Sequence, residues 1–246
     1  MSKVNPLTWW RSFLTLPNTH PFKALGVVFL VALVCSLVVS LTAVTLKPLQ
    51  DANRLRESAA SLVEVLEMLG GGTPKVRMVE LASGGYTNRD PGTWSEIDPE
   101  KDVAGLGTLE SVATVYEVYE NNALKMVILP VRGSGYQSML KGHLALKGDL
   151  NTVAALTFHE QGETPGMGAR IEEQEWQTLW ADKRVADKNG VIRIEVVRGK
   201  AVGVYEVDGI SGATRTGSGV TDLVRFWLGP DGYGPYIARL KAEGTR

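Results

Sequence analysis

The residues best suited to chemistry stand near the C-terminus, in Asp208-Gly-Ile-Ser211-Gly212-Ala213-Thr214-Arg-Thr-Gly-Ser-Gly-Val220. Small neighbours leave the hydroxyls of Ser211 and Thr214 unhindered, free to be esterified or to meet an anion. The stretch follows an apolar run, Ala201–Val207, that reads as a strand. It precedes Val220, Leu223, Val224, Trp227 and Leu228, whose i, i+3, i+4, i+7, i+8 spacing marks one face of a helix. Thr216 or Ser218 fits its N-cap, and Gly229 before Pro230 its stop. A strand, a small-residue loop and a helix bring backbone N–H groups close to a phosphate and turn the positive end of the helix toward it. The spacing by itself suits a well-capped polar turn more often than a ligand site, and Ser-Gly-Ala-Thr alone names no cofactor.

Other chemistries find little support. One cysteine excludes a disulfide framework, a Cys-rich zinc module and an iron–sulfur cluster held by this chain alone. The three histidines, His20, His143 and His159, lack HxxxH or HExxH spacing, and no Ser-His-Asp triad is visible. No GxGxxG follows a strand, so no dinucleotide site is legible. Residues 1–47 carry four cations and no acid, while residues 48–246 carry 22 Lys/Arg against 27 Asp/Glu. A mildly acidic main part argues against nucleic-acid binding.

The elements that hold the loop begin at a membrane. Ala24 to Leu46 is a run of 23 residues without charge. As a helix it spans about 34 Å, enough for a hydrocarbon core of roughly 30 Å. Ser36, Ser40, Thr42 and Thr45 are tolerable there because their hydroxyls can bond back to helix carbonyls. A buried core helix would show a polar stripe, and a cleaved signal peptide would be shorter and nearer the start. The run therefore predicts a retained single span behind a head, residues 1–23, whose Trp9, Trp10 and Phe13 suit a membrane surface. The flanking cations tie, so charge bias sets no orientation. No acid lies inside the span, so the span itself shows no obvious path for a cation.

Beyond the span, residues 47–246 predict an α+β soluble domain, with room for two lobes. Asp51 to Leu69 has helical periodicity and continues from the span until Gly70-Gly71-Gly72 ends it. Strands are expected at Val76–Leu81, Val112–Tyr119, Lys125–Val131 and Val153–Phe158, and a short helix at Gln174–Trp180. Val191–Val197 and Ala201–Val207, separated by Arg198-Gly199-Lys200, predict a hairpin. Residues 82–110 read as a long irregular insert.

Asp-x-x-Ser-Gly-Ala-Thr resembles the attachment motif of flavoproteins that carry covalent FMN. His159-Glu-Gln-Gly-Glu-Thr164-Pro-Gly166-Met167-Gly168 resembles the second loop of the same proteins, and Lys147-Gly-Asp-Leu-Asn-Thr-Val153, Trp176-x-x-x-Trp180 and Arg225-Phe-Trp-Leu-Gly-Pro-Asp-Gly-Tyr-Gly-Pro-Tyr236 fit too. With the N-terminal span, these resemble the C subunits of sodium-translocating NADH:quinone oxidoreductases, densely over residues 130–240. The Gly-x-Gly-Leu-Trp pattern of that family stands here as Gly133-Ser-Gly135-Tyr136-Gln137, keeping the glycines and losing the Leu-Trp pair.

The resemblance implies FMN joined by a phosphoester to the hydroxyl of Thr214, with Ser211, Gly212 and Ala213 giving access. Asp208 and Ser211 belong to the pattern read by a Mg2+-dependent flavin transferase that uses FAD as donor. Thr164, Pro165, Gly166 and Met167 would then form a wall against the isoalloxazine ring, and the start of the helix near Ser218 together with Arg215 could offset the phosphodiester charge. It further implies an electron-carrier subunit of a sodium-pumping NADH:ubiquinone reductase, with no complete active site of its own. The head would be cytoplasmic and the flavin domain periplasmic, on a single pass through the inner membrane. Two rivals stand beside this: the G-type FMN subunit of the related ferredoxin-linked electron-transport complex, and a colourless membrane-anchored binding domain.

Overall fold

The structure, a computed structural model, describes residues 15, 17, 20–90 and 92–244. Trp9, Trp10 and Phe13 of the head lie outside the described residues. The chain divides into two compact units, Met1–Leu55 and Arg56–Arg246. A single helix, α1 (Pro21–Met68), includes the whole uncharged run. Its most apolar 18 residues have a mean hydropathy of 2.8 and bury nothing. Thr42 and Thr45 donate their hydroxyls to the carbonyls of Val38 (2.8 Å) and Leu41 (2.9 Å), which satisfies both groups without water. At the C-terminal end Gly70, Gly71 and Gly72 all take positive φ, and Gly71 N–H donates to Leu66 carbonyl (2.7 Å), closing the helix as the glycines predict.

The second unit is built on strands β1 (Lys75–Glu80), β2 (Trp94–Glu96), β3 (Thr108–Glu110), β4 (Val112–Glu120), β5 (Ala123–Ser134), β6 (Met139–Lys147) and β7 (Val153–Glu160). Five of them form an antiparallel sheet in the order β1-β4-β5-β6-β7. Asn121 and Asn122, at φ 50° and 63°, make the two-residue turn between β4 and β5, where a primed turn matches strand twist. Alternation divides the sheet into two faces. Val127, Leu129 and Val131 of β5 enter the larger core, and Met126 and Ile128 the smaller one.

The larger core lies under α2 (Gln174–Gln177), α3 (Thr214–Leu228) and α4 (Gly234–Gly244). Trp176, Trp180, Trp227, Tyr233 and Tyr236 fill it. The smaller core packs Val65 and Leu66 of α1 on Val118, Met126, Ile128, Ala145, Ala154 and Ala155. This mixture is the α+β class that the sequence predicts.

Two expectations are corrected, and a third holds with one exception. β6 is not among the expected strands. The hairpin over 191–207 does not form: only β8 (Glu195–Val196) and β9 (Glu206–Val207) pair, and they run parallel. A parallel pair needs a crossover, and residues 197–205 supply one. That crossover is held by carboxylates: Glu206 accepts from the N–H groups of Val202 (2.9 Å) and Gly203 (3.1 Å), and Asp208 from Ala201 N–H (2.7 Å). The insert over 82–110 is irregular apart from the small β2–β3 ribbon.

Candidate functional site

α3 begins at Thr214, earlier than a cap at Thr216 or Ser218 would place it. Ala213 is the N-cap residue and has no side-chain oxygen to accept the first amide hydrogens, so the start of the helix keeps unspent donors. Thr216 is instead buried, and its hydroxyl donates to a Glu163 carboxylate oxygen at 2.7 Å. Thr214 is exposed in the first turn of α3.

Glycines let α3 approach the sheet. A Cβ on Gly219 would lie 2.4 Å from Ser134 carbonyl oxygen, and one on Gly217 3.0 Å from Val196 Cγ1. Thr221 Oγ1 accepts from Val196 N–H (2.9 Å), and Arg225 reaches Glu195 (2.9 Å) and Ile194 carbonyl (3.2 Å). These contacts attach β8 to the helix, and the loop ahead of Thr214 is thereby anchored at both ends. Asp208 carbonyl also accepts from Trp176 Nε1 at 2.9 Å.

Two cavities meet at the loop. One, of about 380 Å³, has Tyr136, Glu163, Thr164 and Met167 on one side and Gly212 to Thr216 on the other. The second, of about 540 Å³, runs from Val196–Lys200 along Asp208–Thr214. Both sizes fall within the roughly 300–1,000 Å³ typical of cofactor clefts. Thr214, Ala213 and Gly212 belong to both cavities, Thr164 and Met167 to the first, and Ser211 to the second. Gly166 lines neither: it sits exposed at φ 73° at the tip of the 164–167 turn, where Met167 N–H donates to Thr164 carbonyl at 3.1 Å.

The first cavity suits a flat ring. Met167 is exposed and available to lie on an apolar face. Gly212, at φ 77°, would bring a Cβ within 3.3 Å of Met167 Cε, so its missing side chain keeps the cleft open. Arg215 stands over the Tyr136 ring at 5.2 Å, on the rim. Tyr136, where the Leu-Trp pair is lost, therefore supplies an aromatic wall in company with a cation.

Glu163 is not among the site residues that the sequence suggests. Only 5% exposed, it accepts from Gln137 N–H (2.9 Å), Ser138 N–H (3.2 Å) and Ser138 Oγ (3.3 Å) as well as from Thr216. Burial opposes its ionisation, but these donors outweigh it and hold the carboxyl below its ordinary value. An acid one residue before Thr-Pro-Gly, in a segment otherwise short of cations, was the available signal.

Residues 135–229 match the FMN-binding domain family. The C subunit of the Na(+)-translocating NADH-quinone reductase of Pseudomonas aeruginosa is 35% identical, over 89% of this chain and 95% of that protein. The corresponding protein of Vibrio alginolyticus is 36% identical, over 89% and 94%. Among solved structures, the NqrC protein of Shewanella oneidensis superposes with a TM-score of 0.65 at 31% identity, covering 69% of this chain and 85% of that one. Identity at this level over nine-tenths of the length, with the domain match lying across both cavities, leads to one conclusion: the chain belongs to the family of C subunits of the Na(+)-translocating NADH-quinone reductases.

Proposed function

We propose that this chain is an electron-carrier subunit of a sodium-pumping NADH:ubiquinone reductase complex, with FMN linked through a phosphoester to Thr214. The observation that carries the reading is an exposed threonine hydroxyl at the uncapped start of α3, where two cavities meet. FMN, when bound, supplies reversible electron uptake and release, which no side chain of the chain provides. The chain's part is to hold and orient. Gly212 and Ala213 give the hydroxyl access, and the unspent amides of the first turn face the phosphodiester. The helix end offsets that charge by about 0.3–1 kcal/mol. Thr164 and Met167 give the ring its wall, and Tyr136 lines the same side of the cavity. Gly166 keeps the turn between them tight, while Ser211 borders the phosphate side.

In the same reading residues 24–46 cross the inner membrane once, residues 1–23 form a cytoplasmic head and residues 47–246 a periplasmic domain. The unburied apolar stretch of α1 supports the span. A flavin transferase delivers the FMN, and the other members of the complex supply and remove electrons. Nucleic acid is not a partner. A covalent link suits a compartment poor in free FMN, since it holds the local concentration high without a binding equilibrium. The relatives' names favour the sodium-pump reading over the G-type one.

The test is protein made with its flavin transferase, run on a denaturing gel under ultraviolet light and mapped by mass. The expected result is a fluorescent band with one FMN on the peptide holding Thr214, absent in Thr214→Val. A band that persists in Thr214→Val would remove Thr214 as the sole attachment point.

A further inference from the structure

The Glu163 carboxylate is held by neutral donors alone. Its Oε1 takes the Gln137 and Ser138 amides and the Ser138 hydroxyl from the turn after β5, and its Oε2 takes the Thr216 hydroxyl from the first turn of α3. Two glycines make room for it. A Cβ on Gly135 would stand 2.5 Å from Oε1, and one on Gly168 would stand 2.8 Å from Oε2 and 2.7 Å from Thr216 Oγ1. Among the described residues no Lys, Arg or His comes within ion-pair distance of it. It lines the cavity of about 380 Å³ that also contains Thr214 and Met167.

We infer that Glu163 is a fixed, uncompensated negative charge in the wall of the flavin cavity, one that lowers the reduction potential of the bound FMN while it joins the 135–138 turn to the first turn of α3. The inference rests on the ring occupying that cavity. Adding an electron beside a buried anion is opposed, and burial spares the interaction most of the screening that weakens surface charges. Arg215, the cation on the same cavity, lies over Tyr136 in contact with solvent, so its opposite field is the more strongly screened of the two.

Glu163→Gln separates charge from shape. The amide oxygen can keep the Gln137 and Ser138 donors, and the NH2 group can donate to Thr216, whose hydroxyl accepts as readily as it donates. In full-length, FMN-loaded protein titrated with dithionite and redox dyes, E163Q is expected to raise the reduced-to-oxidised ratio at fixed ambient potential about tenfold. That is about 30 mV for a two-electron couple. Thr216→Val cuts the same link but keeps the carboxylate, and is expected to change the ratio less than threefold. Glu163→Ala, which removes the charge and asks nothing of Thr216, takes the place of E163Q if that variant fails to load.

A ratio unchanged in the charge-removing variants overturns the inference. So does an equal rise in T216V, which would make loosening rather than charge the cause. In either case a band that still maps to Thr214 leaves the attachment reading standing. Loss of that mapping in the parent protein would strike the attachment reading instead.

Discussion

The two faces of the five-stranded sheet are built on different plans. The face toward α3 and α4 is filled by large side chains, and its aromatic groups also satisfy backbone. Trp227 Nε1 donates to Arg132 carbonyl (2.6 Å) and Tyr233 hydroxyl to Pro130 carbonyl (2.8 Å), while their rings stack at 5.0 Å. The face toward the last turns of α1 is lined by Ala145, Ala154 and Ala155 and includes a small polar cluster. There the Ser61 hydroxyl lies 3.2 Å from both His143 Nδ1 and Thr157 Oγ1, and the His143 and His159 rings stand 5.1 Å apart. The face that positions the loop before α3 is thus held by apolar area and hydrogen bonds together. The opposite face has less area and contains groups that titrate.

The sharpest break of this contrast is Trp227→Ala. It deletes a side chain 1% exposed and leaves Arg132 carbonyl without its donor. The expected loss is about 4 kcal/mol in urea unfolding, together with a flavin environment that is no longer rigid in near-ultraviolet circular dichroism. A loss under about 1 kcal/mol, the size of an ordinary point substitution, would mean that the α3 face is not the strong one.

The next effect belongs to the other face and is driven by pH. His143 is 2% exposed, and burial first, then the neighbouring His159, hold it at about 4 instead of the usual 6.5. His159 is lowered as well, by burial first, with Glu160 and Glu57 opposing the shift and Lys141 adding to it. A depressed histidine means that the unfolded chain takes up the proton as pH falls through 6.5, while the folded chain does so only near 4. The stability that His143 contributes is therefore whole above pH 6.5 and lost progressively between 6.5 and 4, by about 3 kcal/mol. The urea midpoint should fall across that window, and less steeply in His143→Gln. A midpoint flat from about pH 7 to about pH 5 would deny the cluster its role.

The same division governs what could be read from the sequence. α3 was legible because Val220, Leu223, Val224, Trp227 and Leu228 keep one face, and all five are buried against the large core. β4 and β5 were legible from their β-branched and aromatic content. β6 was not, because Met139, Leu140, Lys141, Leu144, Ala145, Leu146 and Lys147 favour helix. Its pairing with both β5 and β7 overrides that preference. The parallel pairing of β8 with β9 departs from the expected hairpin because Gly199 suggests a turn, whereas Glu206 and Asp208 spend their carboxylates on a crossover. At the site, the small residues around Thr214 advertise access. What they do not advertise is Thr216 turning inward to Glu163, a partner 53 residues away. Long-range polar partners leave no periodic trace.

The smallest effect tests whether the polar cluster on the thin face acts as a unit. Ser61→Ala should cost about 1 kcal/mol, the usual worth of a buried hydroxyl that serves two partners. Thr157→Val should cost a similar amount, since the two hydroxyls are 3.2 Å apart and both buried. His143 and Thr157 are register partners on β6 and β7, so Ser61 adds a contact from α1 to a pair that the sheet already aligns. Each single variant loses the Ser61–Thr157 bond, which the double variant loses only once, so the double should lose less than the two single losses added together. Strict additivity would mean that the three side chains are neighbours without being coupled, and the contrast between the faces would then rest on buried area alone.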